Sequence, residues 1–339
     1  MNSMRVAQAA AKGGKLEVVE REVPQPGPGH VRITVEACGV CRSDAGFIDA
    51  VFPGVRFPLV PGHEIAGRID ALGDGVAQWQ VGDRVGVGWF GGSCGHCLPC
   101  RQGDFIACVN LKVPGWAYPG GYADAMVAPV DALARIPDGL TPVEAAPLGC
   151  AGVTTFNALR RSGARGGDLV AVLGVGGLGH LGIQFAARLG FETVAVARGT
   201  AKEELARELG AHHYVDSQAT DVAEALRGLG GARAVLATAA DSAAMAATVD
   251  GLSHRGQLLV IGATPEPLEI FPLQLITGGR GVRGHASGTA QDVEDTMHFA
   301  ALTGARPMVE TMALDDAEAA YQRMLSGQAR FRMVLTTGD

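Results

Sequence analysis

The stretch that decides the fold is DLVAVLGVGGLGHLGIQFAARLG, residues 168–190. Its apolar beginning predicts a buried strand at 168–174, and helical spacing predicts a helix at 178–189. Between them, from Gly174 to Gly179, the sequence matches the pattern G-x-G-x-x-G. The pattern alone is weak in a chain with 49 glycines. A strand before it and a helix after it supply the context that dinucleotide binding requires.

Each position of this turn has a predicted part in holding a dinucleotide. The first glycine makes the turn, the second lets the backbone approach the pyrophosphate, and the third permits close helix–strand packing. The N-terminus of the helix then faces the anion. The predicted cofactor-binding residues here are Gly174, Gly176, Gly177, Leu178 and Gly179.

The sequence patterns upstream and downstream of this stretch differ and predict two domains. Downstream, strands at 193–197, 234–237 and 257–261 alternate with helical segments such as 201–209, which indicates a doubly wound parallel sheet. Upstream, between residues 31 and 130, short apolar runs alternate with Gly/Pro turns and predict strands at 33–40, 64–72, 83–90 and 122–129. After residue 288 come helical stretches and a last strand, FRMVLT. The fold class is therefore α/β.

Composition narrows the function. Hydrophobic residues make up 47% of the 339-residue chain, and the net charge is −7. An acidic chain argues against nucleic acid or an anionic membrane surface as a partner. No run of about 18 apolar residues and no signal-peptide centre is present, so we expect a cytoplasmic protein.

A compact group of four cysteines predicts a metal site. Cys94, Cys97, Cys100 and Cys108 follow C-x2-C-x2-C-x7-C. Four thiolates on one loop can surround Zn²⁺ with no open position, as in a structural site. Four unrelated buried thiols, or an iron–sulfur cluster, are the alternatives that spacing leaves open. His96 lies inside the loop and is expected to be solvated.

Three further residues are weak signals when each is taken singly. Cys41 lies in GVCRSD, His63 in PGHE and Cys150 in PLGCAG. A lone cysteine in an apolar stretch is usually a small packed hydrophobe. The residues alone do not join these three.

A family resemblance joins them. The chain resembles the zinc-containing alcohol dehydrogenases of the medium-chain dehydrogenase/reductase superfamily, in segments that follow the family's order between residues 30 and 335. The matching segments are GVCRSD (39–44), PGHEIAG (61–67), VGDRVGV (81–87), the cysteine loop, GGYADA (120–125), APLGCAGVTTFNAL (146–159) and GVGGLGHLG (174–182). The resemblance implies a GroES-like β-barrel catalytic domain at 1–152 and 288–339, and a Rossmann domain at 153–287.

The resemblance also implies a second, catalytic zinc. Its ligands would be Cys41, His63 and Cys150, which leaves a fourth position open for water or a substrate oxygen. Glu64 would neighbour the metal as a transient ligand, and Asp44 would orient His63. The expected reaction passes hydride between a small alcohol and its aldehyde or ketone, with a nicotinamide dinucleotide as the other partner.

Two more residues of the catalytic domain receive roles by the same resemblance. Ser43 is expected to hydrogen-bond the alcohol and pass its proton onward. Many relatives end this relay at a histidine where this chain has Gly46, so the proton is expected to leave through water or the cofactor ribose. Trp89 is expected to line the substrate pocket.

The end of the strand at 193–197 predicts which cofactor binds. In NAD-dependent folds a carboxylate about 20 residues past the glycine motif binds the ribose 2′-hydroxyl. That position is Ala197 here, and Arg198 follows with donors for a 2′-phosphate. Lys202 adds positive charge. We therefore expect NADP(H) to be preferred, with NAD(H) as the alternative main cofactor. Arg42 and Arg332 are expected phosphate contacts by resemblance.

Other functions fit the sequence less well. Zinc-free reductases of the superfamily lack the cysteine loop and the set of Cys41, His63 and Cys150. A non-catalytic NADPH-binding protein would have no need of an open three-ligand site. A hydrolase is not supported, because the sequence contains no nucleophile-elbow motif. By resemblance to bacterial members of this length, we expect a homo-oligomer, either a tetramer or a dimer.

Overall fold

A computed structural model describes residues 3–338 and divides the chain into two units. The first unit comprises residues 1–153 and 287–339, and the second comprises residues 154–286. These limits differ by one residue from the domain limits that the sequence predicts. Within the described residues, no helix combines the length and the hydropathy that a membrane span needs.

The first unit is mainly β-structure. The strands before residue 153 are β1 Ser3–Ala9, β2 Leu16–Glu22, β3 His30–Val40, β4 Ile65–Leu72, β5 Arg84–Val87, β6 Ala125–Pro129 and β7 Leu133–Arg135. The helices there are α1 Arg42–Ile48, α2 Leu98–Arg101, α3 Pro142–Ala145 and α4 Ala151–Arg160, of which α4 continues past residue 153. The four strands that the sequence predicts are all present. The hairpin β1–β2 and the short β7 escaped prediction, since little alternation marks them.

The second unit is a six-stranded parallel sheet. Its strands are β8 Leu169–Leu173, β9 Glu192–Ala197, β10 His213–Asp216, β11 Ala232–Ala237, β12 Leu252–Val260 and β13 Gly281–Gly284. Its helices are α5 Gly179–Arg188, α6 Glu203–Glu208, α7 Val222–Gly228, α8 Ser242–Ala246 and α9 Pro272–Ile276. The strand order β10-β9-β8-β11-β12-β13 is that of a doubly wound dinucleotide fold. The carboxyl ends of the neighbouring parallel strands β8 and β9 lie at the same edge of the sheet, where the glycine turn begins.

The last elements return to the first unit and complete its sheet. They are α10 Ala290–Thr303, β14 Val309–Ala313, α11 Ala317–Leu325 and β15 Arg332–Thr336. Strand β15 pairs antiparallel with β3, giving the order β14-β15-β3-β4-β5-β7, with β6 also paired to β3. The predicted final strand is therefore part of the sheet of the first unit, where it lies beside β3.

One predicted strand ends early. The sequence predicts a strand at 83–90, but β5 stops at Val87. A Cβ at Gly88 would lie 2.2 Å from the carbonyl oxygen of Gly149. This close backbone approach turns the chain out of the sheet, and the N–H of Trp89 donates to the same carbonyl at 3.4 Å. The departure places Trp89 beside the segment that leads into Cys150.

Candidate active site

The structure brings together the three cysteine and histidine residues that the sequence alone could not join. Cys41 directly follows β3 and is the N-cap residue of α1, His63 lies in the extended segment before β4, and Cys150 follows a 3-10 turn before α4. The sulfurs of Cys41 and Cys150 are 4.0 Å apart. With a carboxylate oxygen of Glu64, the candidate ligand atoms of this cluster of Cys41, His63 and Cys150 all lie within 4.8 Å of one another.

The chemistry of this cluster fits a metal ion. His63 is fully buried and its Nε2 has no hydrogen-bond partner, although its Nδ1 lies 2.9 Å from Asp44 Oδ1. An unpartnered buried nitrogen is costly unless a ligand occupies it. Tetrahedral Zn²⁺ with bonds of about 2.3 Å to sulfur would separate two thiolates by about 3.8 Å. The orphaned nitrogen and the thiol spacing therefore both fit zinc.

Burial and mutual contact change the pKa values in the cluster. The hydrogen bond between the two thiols lowers the pKa of Cys41 and raises that of Cys150. Burial raises the pKa of Glu64 to about 7, while the neighbouring Arg332 opposes that rise. Burial works against the charge of Arg332, but Glu64 and Cys41 raise its pKa overall. A metal ion would require both thiols as thiolates, so its binding releases protons here.

The four-cysteine loop forms a second, closed cluster. Sulfur–sulfur distances are 3.4 Å for Cys97–Cys100, 3.9 Å for Cys97–Cys108 and 3.6 Å for Cys94–Cys108. All four sulfurs lie within 4.8 Å of one another. An iron–sulfur cluster would place several atoms between them, so this spacing fits a single ion. His96 is exposed and its Nδ1 lies 2.7 Å from the Cys94 carbonyl oxygen, outside the shell.

The remaining residues predicted for catalysis lie around the cluster of Cys41, His63 and Cys150. Ser43 is half-buried in the first turn of α1, two residues after Cys41. Asp44 is fully buried behind His63. The Trp89 ring meets the His63 ring edge-on at 5.2 Å and stacks on Phe47 at 5.8 Å. The structure thus places all of them at the site, and their roles stay predictions.

An aromatic group next to this site was missed by sequence reasoning. The rings of Phe52 and Trp116 are 5.2 Å apart, and Phe52 is 6.3 Å from Trp89. A Cβ at Gly46 would lie 2.6 Å from the Phe52 ring. The space for a side chain at Gly46 is therefore filled by Phe52. Nothing in the local sequence signals this contact, since Phe52 follows α1 in an irregular loop.

In the second unit, all of the residues predicted to bind the dinucleotide except Gly179 line one cavity of about 640 Å³. It includes Gly174, Gly176, Gly177, Leu178, Ala197, Arg198 and Lys202. A Cβ at Gly179 would lie 1.8 Å from the Gly174 carbonyl oxygen, which explains the third glycine. A Cβ at Gly176 would meet nothing within 4 Å. Glycine at that position is thus not imposed by the protein's own packing.

The end of β9 lacks a carboxylate and is followed by an exposed arginine, as the sequence predicts. Ala197 is the last residue of β9, and Arg198 is exposed beyond it. Lys202 Nζ donates to the Val175 carbonyl at 2.7 Å, which ties this cation to the glycine turn. Sequence reasoning missed Thr238 and Asp241, which line the same cavity. Their position just after β11 was a usable signal, because carboxyl ends of parallel strands share an edge.

The two arginines expected to contact phosphate differ in their surroundings. Arg42 is exposed at the first residue of α1. Arg332 is buried, and its guanidinium donates to the carboxylate of Glu64. The structure therefore gives Arg332 an internal partner that the sequence did not reveal. A phosphate contact by either residue stays a prediction.

Comparison with known proteins gives the family. A family model described as "Alcohol dehydrogenase GroES-like domain" matches residues 27–138, and one described as "Zinc-binding dehydrogenase" matches residues 177–302. An alcohol dehydrogenase of Aspergillus sp. is 42% identical over 324 residues, covering 96% of this chain and 95% of its own. An alcohol dehydrogenase of Geobacillus stearothermophilus is 38% identical over 322 residues, covering 94% and 96%.

Solved structures with a similar fold include an alcohol dehydrogenase. A structure described as an NAD-dependent alcohol dehydrogenase superposes with a TM-score of 0.91 at 26% identity, covering 99% of this chain and 100% of its own. The CAD of Helicobacter pylori complexed with NADP(H) gives a TM-score of 0.86 at 25% identity, covering 98% of each chain. The chain belongs to the alcohol dehydrogenases of the medium-chain dehydrogenase/reductase superfamily. The predicted GroES-like and Rossmann folds are confirmed.

Proposed function

We propose that this alcohol dehydrogenase depends on zinc, binds two zinc ions per chain, and prefers NADP(H). Hydride would pass between a small alcohol and its aldehyde or ketone. Cys41, His63 and Cys150 would hold the catalytic ion, and the four-cysteine loop would hold a structural one. From the sequence pattern we further propose a cytoplasmic location, and from the resemblance a homo-oligomer, a tetramer or a dimer.

One observation carries the zinc proposal. His63 Nε2 is fully buried without a hydrogen-bond partner, in a cluster with two thiols whose sulfurs are 4.0 Å apart. Two thiolates and one imidazole form a three-ligand set, which is typical of catalytic zinc with an open fourth position. The loop of Cys94 to Cys108 offers four sulfurs and no such opening. The two clusters therefore suit different tasks.

When bound at the first cluster, zinc supplies a Lewis acid that polarises the substrate oxygen. The chain's own residues would then transfer the proton and position the substrate. Ser43 lies two residues after Cys41, and its hydroxyl can both accept and donate a proton. The Trp89 ring meets the His63 ring edge-on, and its apolar surface would contact the carbon side of the substrate. Because position 46 has no histidine and Phe52 fills the space beside Gly46, the proton would leave Ser43 through water or, with the cofactor bound, through its ribose.

The cofactor preference rests on charge at the end of β9. Ala197 contributes no carboxylate that would repel a 2′-phosphate, and the exposed Arg198 offers planar donors beside it. Gly174 adopts a φ of +99°, and α5 begins at Gly179. This turn leaves the helix N-terminus facing the cavity, where a pyrophosphate would bind. An NAD(H)-preferring enzyme with the same chemistry is the alternative.

Two measurements on the native protein test the proposal. Metal analysis should find close to two zinc ions per chain. Absorbance assays with primary, secondary and aromatic alcohols and their carbonyls, run with both cofactors, should show turnover that is faster with NADP(H). Turnover that survives complete zinc removal would overturn the zinc proposal, and faster turnover with NAD(H) would overturn the cofactor preference.

A further inference from the structure

Asp44 has more partners than orienting a histidine requires. Its carboxylate is fully buried and accepts four hydrogen bonds. The donors are the Cys41 N–H at 2.9 Å, the Gly62 N–H at 3.3 Å, His63 Nδ1 at 2.9 Å and the Tyr122 hydroxyl at 3.0 Å. The Tyr122 hydroxyl and the Cys41 N–H share Oδ2, while His63 uses Oδ1. Tyr122 is thus the one side chain besides His63 among these donors.

Tyr122 is held in place on several sides. Its side chain is fully buried. Its backbone N–H donates to the Pro61 carbonyl at 3.1 Å, and its backbone carbonyl accepts from the Ala7 N–H at 2.8 Å. A Cβ at Gly62 would lie 2.5 Å from the ring, so the ring rests directly on the backbone just before His63. Gly62 also adopts a φ of +104°, which favours glycine. The hydroxyl therefore points at Asp44 from a rigid support.

The hydroxyl can act only as a donor in this contact. Burial raises the pKa of Tyr122, and the charge of Asp44 raises it further, so the phenol stays protonated. A buried carboxylate that loses one of its donors is left under-satisfied, which costs free energy and allows it to reorient. Since Asp44 Oδ1 fixes the His63 ring, rotation of the carboxylate would move His63 Nε2 away from the two thiols.

We propose that Tyr122 is a positioning residue for the catalytic zinc site, which acts through Asp44 to aim His63 Nε2 at the position between Cys41 and Cys150. This inference rests on the proposed zinc site. Residues that support metal ligands from behind typically affect metal affinity by about 10- to 100-fold. Tyr122 lies one contact further out, behind Asp44, and is expected to act at the lower end of this range.

The test compares Tyr122→Phe with Tyr118→Phe. Phenylalanine keeps the ring packing and removes only the hydroxyl. Tyr118 is a matched control, since its hydroxyl donates to the Gly91 carbonyl at 2.9 Å rather than to Asp44. Zinc-loaded proteins are titrated with chelators of graded affinity, and metal retention is measured alongside thermal unfolding of the metal-free forms.

We expect Tyr122→Phe to weaken zinc binding at the catalytic cluster by about 10-fold, the lower end of the supporting-residue range, with the loop zinc unchanged. In cobalt-substituted protein its visible absorption bands should shift, which a purely structural loss would not cause. Tyr118→Phe should change neither readout. Unchanged affinity and spectrum in Tyr122→Phe would overturn the inference while leaving the zinc proposal intact. A native protein with only the loop zinc would instead overturn both.

Discussion

Glu64 and Arg332 form a buried ion pair across 268 positions of the chain. Glu64 leads into β4, and Arg332 begins β15, so the pair spans the two strands on either side of β3. Gly39 of β3 makes room between them, because a Cβ there would lie 1.9 Å from Glu64 Oε2. The pair fixes the last strand of the chain beside the cluster of Cys41, His63 and Cys150.

Breaking this pair should destabilise the protein strongly. Arg332→Met leaves the buried Glu64 carboxyl group without its partner, and the free energy of unfolding should fall by about 3–5 kcal/mol. Adding Glu64→Gln should recover part of this loss. Urea unfolding measures both, with Arg68→Met as the control, since the exposed Arg68–Glu36 pair should contribute no more than about 1 kcal/mol. Equal losses for Arg332→Met and Arg68→Met would contradict the prediction.

The two metal clusters should respond differently to loss of one cysteine. Cys150→Ala should abolish turnover and remove one zinc while the fold and the loop zinc remain. Cys100→Ala should lower stability, because metal binding is coupled to folding of the loop. Metal analysis, thermal unfolding and activity assays on both variants check this. A native protein with close to one zinc per chain would show that one cluster does not bind it.

Ser43→Ala should lower kcat by at least about 100-fold, the low end of contributions from positioned acid–base groups. Zinc content and unfolding should not change, since Ser43 is not a ligand. Ser326→Ala provides a control, because that exposed hydroxyl bonds only a carbonyl at the end of α11. Steady-state kinetics decide the matter, and near-native activity in Ser43→Ala would remove this serine from the mechanism.

The space beside Gly46 should not accept the histidine that many relatives carry. Gly46→His alone should lower the free energy of unfolding by about 1–3 kcal/mol, as overpacking does. In a Phe52→Ala background the same substitution should cost much less, because the ring that blocks it is gone. Urea unfolding of the two single variants and the double variant gives the coupling between the sites. Additive effects would mean that Phe52 does not control this space.

The preference between NADP(H) and NAD(H) should depend on the charge of the side chain at position 197. Ala197→Asp introduces a carboxylate that repels a 2′-phosphate and can bind a ribose 2′-hydroxyl, so kcat/KM should move toward NAD(H). Arg198→Ala should weaken NADP(H) use and leave NAD(H) use unchanged. Kinetics with each cofactor for the native protein and both variants test this. The prediction fails if the native enzyme prefers NAD(H) and Arg198→Ala has no effect.

Local pattern predicted much of this fold. The run 168–190 has apolar residues and glycines at the positions that a strand, a tight turn and a helix need, so β8, the turn and α5 were predicted within about a residue or two. The short strands β10 and β13 were missed, because four residues with no clear alternation carry little signal. The site required more, since Cys41, His63 and Cys150 were joined only through the family's motifs.

The sequence by itself predicted a β-rich and a doubly wound region, the dinucleotide turn and the cluster of four cysteines, because each shows in residues that are near neighbours in the chain. Only the tertiary structure decided which distant groups meet. It gave Arg332 an internal partner in Glu64, placed the Tyr122 hydroxyl behind Asp44, and filled the space at Gly46 with Phe52. These contacts depend on how strands β3, β4 and β15 and the loop after α1 pack together. Local spacing cannot encode them, since a side chain's partner across a sheet is set by strand order and register.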